Sequence, residues 1–340
     1  MSEKPQKIIG LVGLGMMGRG IASCLLGHGF VVRAFSADGG LYQIARREIE
    51  SNLRELVEHL GFPESIQNNW RGRYFEVDSP HEFVDCDFVI ECVIEDLAAK
   101  QALFARLEGI LRPEVTIASN TSGLSITTLQ QSMKDPGRLI GMHWADPSHV
   151  TRFMELIRGG QTSDAAYAAA AALSESCGKD PSLVRRDIEG FIVNRLGYAM
   201  YREALHLLES GVADVATIDV AFRNALGLWA AVAGPFRAVD YFGFATCAKA
   251  METIFPTLSN ETKPPSIIGK MLDEGANGMA NGRGFYIYTP QETSRWKEIF
   301  RRHAREITLM QNQYFPSEPS PQPSPGVPGG EQMCNHDSHH

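Results

Sequence analysis

A glycine-rich turn near the start of the chain constrains its fold more than any other feature. The run IIGLVGLGMMGRGIA contains an apolar strand, three glycines in the pattern GxGxxG and the start of a helical stretch. Glycines at this spacing let the backbone approach a pyrophosphate, and a helix N-terminus favours an anion. A purely structural turn could share the pattern, but its place between strand and helix predicts a dinucleotide site. The predicted cofactor-binding residues of this turn are Gly13, Leu14, Gly15, Met16, Met17 and Gly18.

The order of β-rich and helical segments predicts the fold class. From Lys7 to Leu139, short β-rich apolar runs alternate with longer helical stretches, which is typical of a parallel sheet with crossover helices. After Gly178 no convincing β-rich run appears until Phe285 to Tyr288, and Gly190 to Glu209 has the pattern of one long helix. We therefore predict an α/β Rossmann-type dinucleotide-binding domain followed by an all-α C-terminal domain.

Three parts of the chain follow from this pattern. The end of the sequence is rich in proline, glycine and polar residues, and such segments do not form a core of their own. The predicted parts are an NAD(P)-binding domain over residues 1–187, a helical substrate and dimerisation domain over residues 188–312, and a disordered tail over residues 313–340.

Composition excludes several classes of function. The chain has 340 residues, 44% hydrophobic and 21% charged, which suits a globular protein of two domains. Its net charge of -8 argues against binding nucleic acid as the main activity. The apolar runs are shorter than the roughly 20 residues that cross a bilayer, and no secretory apolar core follows the first residues. We expect a cytoplasmic protein with no membrane partner. The six cysteines form no CxxC pair, so we predict no metal site.

The residue that ends the second strand bears on the choice of cofactor. An acidic side chain usually holds the adenosine ribose there, and in VVRAFSADGG this position falls on Ser36 or on Asp38. Ser36 alone would not exclude a phosphate on that ribose, but no lysine or arginine follows at once and Asp38 would repel the phosphate. We predict NAD, with NADP as the alternative. Ser36 could also serve only as a cap or turn residue.

A set of polar residues downstream suits the oxidation of an alcohol. The cluster ASNTSGLSI follows a predicted strand, GMHWADP contains His143, FMELIRG contains Glu155 and FIVNRL contains Asn194. Oxidising a secondary alcohol requires a base for the hydroxyl proton, and imidazole titrates near neutral pH. A carboxylate beside the ring fixes its tautomer and stabilises the imidazolium. Taken singly, each of these residues would more often be structural.

Together, and in this order after the dinucleotide motif, these segments resemble the L-3-hydroxyacyl-CoA dehydrogenase family. The likeness runs from about Ile8 to the closing segment GRGFYIY. It implies a catalytic base, its orienting carboxylate and two groups that hydrogen-bond the substrate oxygen. In that order, the implied catalytic residues are His143, Glu155, Ser122 and Asn194.

The resemblance also implies residues near the cofactor and a subunit arrangement. Glu95 and Lys100 correspond to positions near the nicotinamide end of the site, and Asn120 is also predicted to bind the cofactor. The alternative is that Glu95 only complements a helix dipole and Lys100 is solvated. Members of the family form homodimers through the helical domain, and the segment Gly227 to Phe236 is a candidate for part of that face.

Departures from the family pattern leave the substrate open. The acyl-CoA enzymes usually have two phenylalanines, asparagine and proline after the histidine, whereas this chain has WADP after His143. Only Arg46, Arg47 and Arg54 between positions 46 and 62 could meet the phosphates of coenzyme A. We predict interconversion of a 3-hydroxyacyl-CoA and a 3-oxoacyl-CoA, as in fatty acid metabolism. The alternative is a dehydrogenase of a small free 3-hydroxy acid, because ECVIEDLAAKQALFARLE resembles the gulonate and carnitine dehydrogenase branch. A third interpretation is a non-catalytic, crystallin-like protein.

The β-hydroxyacid dehydrogenases also begin with a run like GLVGLGMMG. They depend on a lysine in the first long helix of the second domain. The chain has no lysine between Lys179 and Lys249, so we set this family aside.

Overall fold

The computed structural model describes residues 6–316, and the first half of this region forms one eight-stranded sheet. Its order is β3-β2-β1-β4-β5-β6-β7-β8. Strands β1 to β6 run parallel, whereas β7 is antiparallel to β6 and β8 is parallel to β7. The strands are β1 (Ile8–Val12), β2 (Val31–Phe35), β3 (Tyr74–Glu76), β4 (Phe88–Glu91), β5 (Thr116–Ser119), β6 (Leu139–Trp144), β7 (Phe153–Ile157) and β8 (Asp180–Val184).

Helices cover both faces of this sheet. Helices α1, α2 and α6 share one apolar core with one face, and α4 and α5 share a second core with the other. The predicted Rossmann-type α/β domain is confirmed. The helices of this half are α1 (Met16–Gly27), α2 (Leu41–Leu60), α3 (Ser65–Asn69), α4 (Leu97–Glu108), α5 (Ile126–Gln130) and α6 (Asp164–Ser176).

Two details of the predicted strands were wrong. Strand β8 lies after Gly178, where no strand was expected, because its sequence DPSLV lacks a β-rich pattern. A proline is tolerated there because β8 is an edge strand with β7 as its only neighbour in the sheet. The predicted β-rich run from Phe285 to Tyr288 forms no strand and contributes only an isolated bridge between Arg283 and Ile287.

The second half of the described chain is helical, as predicted. A π-helical turn over Phe222–Leu226 joins α8 to α9. The long helix predicted from Gly190 begins three residues later, and the last helix continues through Tyr314. The predicted disordered tail began at residue 313, but Gln313 and Tyr314 lie in α13, and its part from residue 317 onward lies outside the described residues. The helices are α7 (Val193–Glu209), α8 (Val215–Ala221), α9 (Gly227–Ala230), α10 (Pro235–Phe242), α11 (Phe244–Ile254), α12 (Ser266–Asp273) and α13 (Pro290–Tyr314).

The helical half buries few of its own side chains. Beyond Phe191, the buried residues within the described range are Ala238 and Thr308. Large apolar side chains on its helices are exposed, including Leu228, Phe236 and Tyr241 at 77%, 86% and 85%. The helices therefore bury little apolar surface within one chain.

Within residues 6–316, no single helix is both long and apolar enough to cross a bilayer. One pair of helices, Val215–Ala230 with Pro235–Phe242, meets the length and composition criteria together, but it is bent by 91°.

A buried ion pair lies at the centre of the sheet, directly below its carboxyl edge. Glu91 ends β4, and Lys100 reaches it from α4 with 2.6 Å between Nζ and Oε1. The Ser119 hydroxyl on β5 donates to Glu91 Oε2 at 2.7 Å, and the Val93 amide donates to Oε1 at 2.6 Å. Both charged side chains are shielded from solvent. The pair therefore joins β4, β5 and α4.

We predict that Lys100→Met lowers the free energy of unfolding by about 3–5 kcal/mol, because it leaves the Glu91 carboxylate buried without its cation. Urea unfolding followed by circular dichroism measures the change. Arg106→Met, an exposed position on the same helix, is the matched control and should change little. Glu91→Gln added to Lys100→Met should recover part of the loss. A Lys100→Met variant as stable as the wild type would show that the pair contributes nothing.

Candidate active site

The turn from β1 into α1 has the geometry of a pyrophosphate site. Gly13 has φ of +99°, and a Cβ there would lie 2.6 Å from the Cys92 carbonyl oxygen. A Cβ at Gly18 would lie 2.0 Å from the Gly13 carbonyl oxygen, so this turn requires glycine at both positions. Helix α1 begins at Met16 and no side chain caps its first amides. The turn therefore fits a dinucleotide, because its amides are available to an anion.

The end of β2 forms a compact turn. The Ser36 hydroxyl donates to the Asp38 carbonyl oxygen at 3.0 Å and accepts from the Asp38 amide at 3.2 Å. The Asp38 carboxylate in turn accepts from the Gly40 amide at 2.9 Å. Ser36 thus has the turn-forming contacts considered as its structural alternative. A role for Ser36 toward the adenosine ribose stays a prediction.

His143 and Glu155 lie opposite each other on neighbouring strands. They are register partners in the antiparallel pair of β6 and β7, and His143 Nδ1 is 2.8 Å from Glu155 Oε2. Both residues are buried. A carboxylate accepts, so Nδ1 carries the proton in this bond and the Nε2 lone pair of a neutral ring is left free. This arrangement can accept a proton at Nε2.

The second oxygen of Glu155 holds the start of the helical half. Its Oε1 accepts from the Ile192 amide at 3.0 Å and from the Val193 amide at 2.9 Å, at the N-terminus of α7. The preceding residue, Phe191, has φ of +52°, a conformation that is strained for a residue with a side chain. Its buried ring packs against the His143 ring with 5.7 Å between centroids, so packing stabilises the strained turn.

Asn194 and Ser122 complete this group. Asn194, at the second position of α7, donates from Nδ2 to the Ser122 carbonyl oxygen at 2.6 Å. The four residues predicted as catalytic therefore lie together, since His143 binds Glu155, Glu155 binds the start of α7, and α7 carries Asn194 to Ser122. The contact between Asn194 and Ser122 involves the Ser122 backbone.

Glu95 organises the loop that follows β5. Its Oε1 accepts from the Thr121 hydroxyl, from the Ser122 amide at 3.0 Å and from the Gly123 amide at 3.3 Å. Its Oε2 lies 3.4 Å from Lys100 Nζ. Burial alone would raise the pKa of Glu95, but the Thr121 hydrogen bond and the Lys100 charge bring that pKa below its usual value. Glu95 is therefore held as a carboxylate beside Ser122.

The other two predicted cofactor-proximal residues, Lys100 and Asn120, join neighbouring elements of the sheet. Lys100 is inaccessible to solvent and pairs with Glu91, so it is not the solvated lysine considered as the alternative. The Asn120 amide oxygen accepts from the Trp144 amide at 2.9 Å and links the ends of β5 and β6. Direct contact of either residue with a cofactor stays a prediction.

Sequence reasoning missed two residues that shape the site. Glu91 is the one acidic residue in the buried strand FVIE, and a charge in such a strand needs a partner, so a signal was available. Asp187 accepts from the Ser125 hydroxyl and from the Thr127 amide, both at 2.7 Å, and so ties α5 to the segment before α7. No local pattern distinguishes Asp187 from the other acidic residues of the sequence. Within the described residues, no group of three or more histidine, cysteine or acidic side chains is arranged to hold a metal ion.

Two family models match nearly the whole described chain. The NAD-binding domain of 3-hydroxyacyl-CoA dehydrogenase matches residues 8–188, and the C-terminal domain of the same family matches residues 190–288.

Individual relatives include enzymes of thioesters and of free acids. A probable 3-hydroxybutyryl-CoA dehydrogenase of Deinococcus radiodurans is 34% identical and covers 82% of this chain and 99% of its own. The 5-formyl-3-hydroxy-2-methylpyridine 4-carboxylate 5-dehydrogenase of Mesorhizobium japonicum is 30% identical over 89% of this chain and 96% of its own. L-carnitine dehydrogenase of Staphylococcus epidermidis is 31% identical over 91% and 95%.

Solved structures show the same two groups. A crystal structure of the pyridine carboxylate dehydrogenase, described as an NAD+ dependent dismutase, superposes with a TM-score of 0.83 at 29% identity and covers 92% of this chain and 100% of its own. The (S)-3-hydroxybutyryl-CoA dehydrogenase of Ralstonia eutropha gives a TM-score of 0.70 at 33% identity, with 84% and 99% covered. The chain belongs to the 3-hydroxyacyl-CoA dehydrogenase family and is an NAD-dependent oxidoreductase acting on CH–OH groups.

Proposed function

We propose that this enzyme oxidises the hydroxyl group of a small free hydroxy acid, or reduces the corresponding oxo acid, with His143 as its general base. The hydrogen bond between His143 and Glu155, whose other carboxylate oxygen holds the start of α7, supports this role. When bound, NAD supplies the hydride acceptor. The protein contributes the proton acceptor and the contacts that orient the alcohol.

Each of the four residues has a part in the proton transfer. His143 Nε2 takes the hydroxyl proton, and Glu155 stabilises the imidazolium that forms because its carboxylate lies 2.8 Å from Nδ1. The side chains of Ser122 and Asn194 hydrogen-bond the substrate oxygen, on which charge changes during the reaction. Glu95 keeps Ser122 in place through its backbone amide. In the reverse direction, the imidazolium returns the proton.

One large cavity beside the dinucleotide turn offers few cations for the phosphates of a coenzyme A thioester, although none of His143, Ser122 and Asn194 lines it. The cavity has a volume of about 1160 Å³ and is bordered by Met16 of the dinucleotide turn and by Phe153, whose ring packs on His143. Coenzyme A carries several phosphate charges, which proteins bind with lysine and arginine. Helix α2 lines the cavity with Glu48, Ser51 and Asn52 and so offers no cation.

The remaining cations of the cavity wall are mostly neutralised. Arg152 pairs with Asp180 at 2.7 Å, and Arg301 pairs with Glu55 with 2.6 Å between Nε and Oε2. Among the lysines and arginines within residues 6–316 that line the cavity, Lys297 alone forms no ion pair. The observation that carries our choice of a small acid is the TM-score of 0.83 to the pyridine carboxylate dehydrogenase, against 0.70 to the 3-hydroxybutyryl-CoA enzyme. The longer match to the pyridine carboxylate and carnitine enzymes supports it.

A 3-hydroxyacyl-CoA is the second candidate substrate. The identity of 34% to a probable 3-hydroxybutyryl-CoA dehydrogenase favours it. A free acid and a thioester share the same chemistry at carbon 3, so the residues around His143 serve either. The candidates differ only in what the enzyme must bind beyond the reacting carbon.

We predict that His143→Ala lowers kcat on the order of 10²–10⁴-fold, because proton removal loses its base. Glu155→Gln should also lower kcat, since an amide does not stabilise the imidazolium. Stopped-flow and steady-state absorbance of the reduced nicotinamide measure the rates, and fluorescence titration with NADH should give an unchanged Kd. His81→Ala, an exposed histidine, is the control. Wild-type rates in His143→Ala would remove this residue from the mechanism.

We predict that kcat/KM for the best free acid exceeds that for 3-hydroxybutyryl-CoA by at least about tenfold, the equivalent of one charged contact. The assay compares 3-hydroxybutyrate, gulonate and carnitine with 3-hydroxybutyryl-CoA, each with NAD and with NADP. A preference for the thioester would overturn the small-acid proposal and leave the second candidate. Turnover with NADP equal to that with NAD would add the alternative cofactor.

We also propose that two copies associate through the helical half, as the family resemblance implies. Contiguous exposed apolar patches of a monomer rarely exceed a few hundred square ångströms. The helices from α7 to α12 expose large apolar side chains throughout, and the predicted segment Gly227 to Phe236 includes Leu228 and Phe236. Two-fold symmetric pairing of one such face with itself is the commonest way to cover it.

We predict that the wild type elutes as a dimer in size-exclusion chromatography with light scattering. Leu228→Asp combined with Phe236→Asp should shift it toward the monomer, because the charges would be desolvated in the interface. Phe75→Asp, at an exposed position on the edge strand β3, is the control and should leave the dimer intact. A monomeric wild type at micromolar concentration would contradict the proposal.

A further inference from the structure

The C-terminal helix α13 folds back onto the dinucleotide-binding half, where two of its arginines bind one carboxylate. Glu55 lies on α2 and is buried, although it belongs to an amphipathic surface helix. Arg301 donates from Nε to Glu55 Oε2 at 2.6 Å, and Arg305 donates from Nη1 to Oε1 at 2.5 Å. Arg301 also donates to the Asn52 side-chain oxygen at 3.0 Å. This helix lies beyond the residues matched by the family's C-terminal domain, which end at 288.

The same carboxylate also holds the loop between β6 and β7 (residues 145–152). His149, in this loop, places Nε2 at 2.9 Å from Glu55 Oε2 and is itself buried. Burial alone would raise the pKa of Glu55, but the bonds from His149, Arg301 and Arg305 bring that pKa far below its usual value. Glu55 therefore stays ionised and joins α2, the β6–β7 loop and α13.

Helix α13 contacts the β6–β7 loop directly as well. The Thr308 hydroxyl donates to the Val150 carbonyl oxygen at 3.2 Å. Arg152, at the end of the loop, donates to the Asn312 side-chain oxygen at 3.0 Å and to the Phe315 carbonyl oxygen at 2.9 Å. The loop is thus fixed at its middle and at its end.

The β6–β7 loop connects the two strands that carry the catalytic pair. It begins two residues after His143 and ends three residues before Glu155. In an antiparallel pair, the connecting loop determines the register of the strands. Displacing the loop would therefore change the separation of the imidazole and the carboxylate. Phe153, the first residue after the loop, also packs its ring against His143, with 5.6 Å between centroids.

We propose that Glu55 is a positioning residue for catalysis: by clamping α13 and the β6–β7 loop to α2, it fixes the alignment of His143 with Glu155. This inference rests on the proposed role of His143 as base. It does not depend on whether the substrate is a free acid or a thioester. Docking of the C-terminal helix then sets the turnover rate of a site to which that helix contributes no reacting group.

The test uses the full chain and compares Glu55→Ala with Glu58→Gln, an exposed acid on the same helix. We expect Glu55→Ala to lower kcat by about 10–100-fold, in line with the cost of small misplacements of reacting groups. The Kd for NADH should change less than about threefold, because the dinucleotide turn from Gly13 to Gly18 is not altered. The acid limb of the pH profile of kcat should shift, since His143 loses its alignment with Glu155.

A second pair of variants acts from the side of α13. The double variant Arg301→Ala/Arg305→Ala should reproduce the loss of kcat. The double variant Arg301→Lys/Arg305→Lys should keep most of the wild-type kcat, because the cations remain. Arg302→Ala, on the outer face of α13, is the matched control. Hydrogen exchange of residues 290–314 should be faster in both alanine variants and unchanged in the controls.

The outcomes separate the proposals. A Glu55→Ala enzyme with a lowered unfolding midpoint but wild-type kcat and pH profile would show a merely structural role and overturn the inference. The same result would leave His143 as the base. Full activity in His143→Ala would instead remove the proposed mechanism, and the inference with it.

Discussion

The active site depends on one buried carboxylate that serves two halves of the molecule. One oxygen of Glu155 accepts from His143 and the other accepts from the first amides of α7. A buried charge is stable only when its lone pairs are satisfied, and here the partners are an imidazole on the sheet and a helix N-terminus with its partial positive charge. The position of the helical half relative to His143 is therefore fixed by the residue that also orients the ring.

Two further buried carboxylates join neighbouring elements at the edges of the site. Glu91 joins two central strands to α4 below the dinucleotide crevice, and Glu55 joins α2, the β6–β7 loop and α13 beside it. Breaking a buried ion pair costs more than forming it contributes, so the loss on removing one partner does not measure the stability that the pair adds. In this protein Glu91 lies beside Val12, which precedes the dinucleotide turn, and Glu55 lies beside the loop that joins the strands of His143 and Glu155.

Much of the fold could be predicted because its signals are local. The strand, GxGxxG turn and helix at Gly13 to Gly18 required only neighbouring residues, and so did the change from alternating to helical segments. Strand β8 was missed because Asp180 and Pro181 are poor strand residues that are tolerated only at an edge, and being at an edge is a property of the whole sheet. The four candidate catalytic residues were found by family resemblance. The contacts of Glu55 and Asp187 are with partners 60 to 250 positions away, which no local pattern reveals.

The edges of the sheet limit how these molecules can meet one another. One edge is β3, only three residues long, and the other is β8, which begins with an aspartate and a proline. Short strands, charges and proline at an edge prevent unpaired backbone groups from recruiting a strand of another chain. The two edges of the eight-stranded sheet therefore resist pairing with strands of other molecules. Growth into larger β-sheet assemblies is suppressed, even though the helical half exposes large apolar side chains.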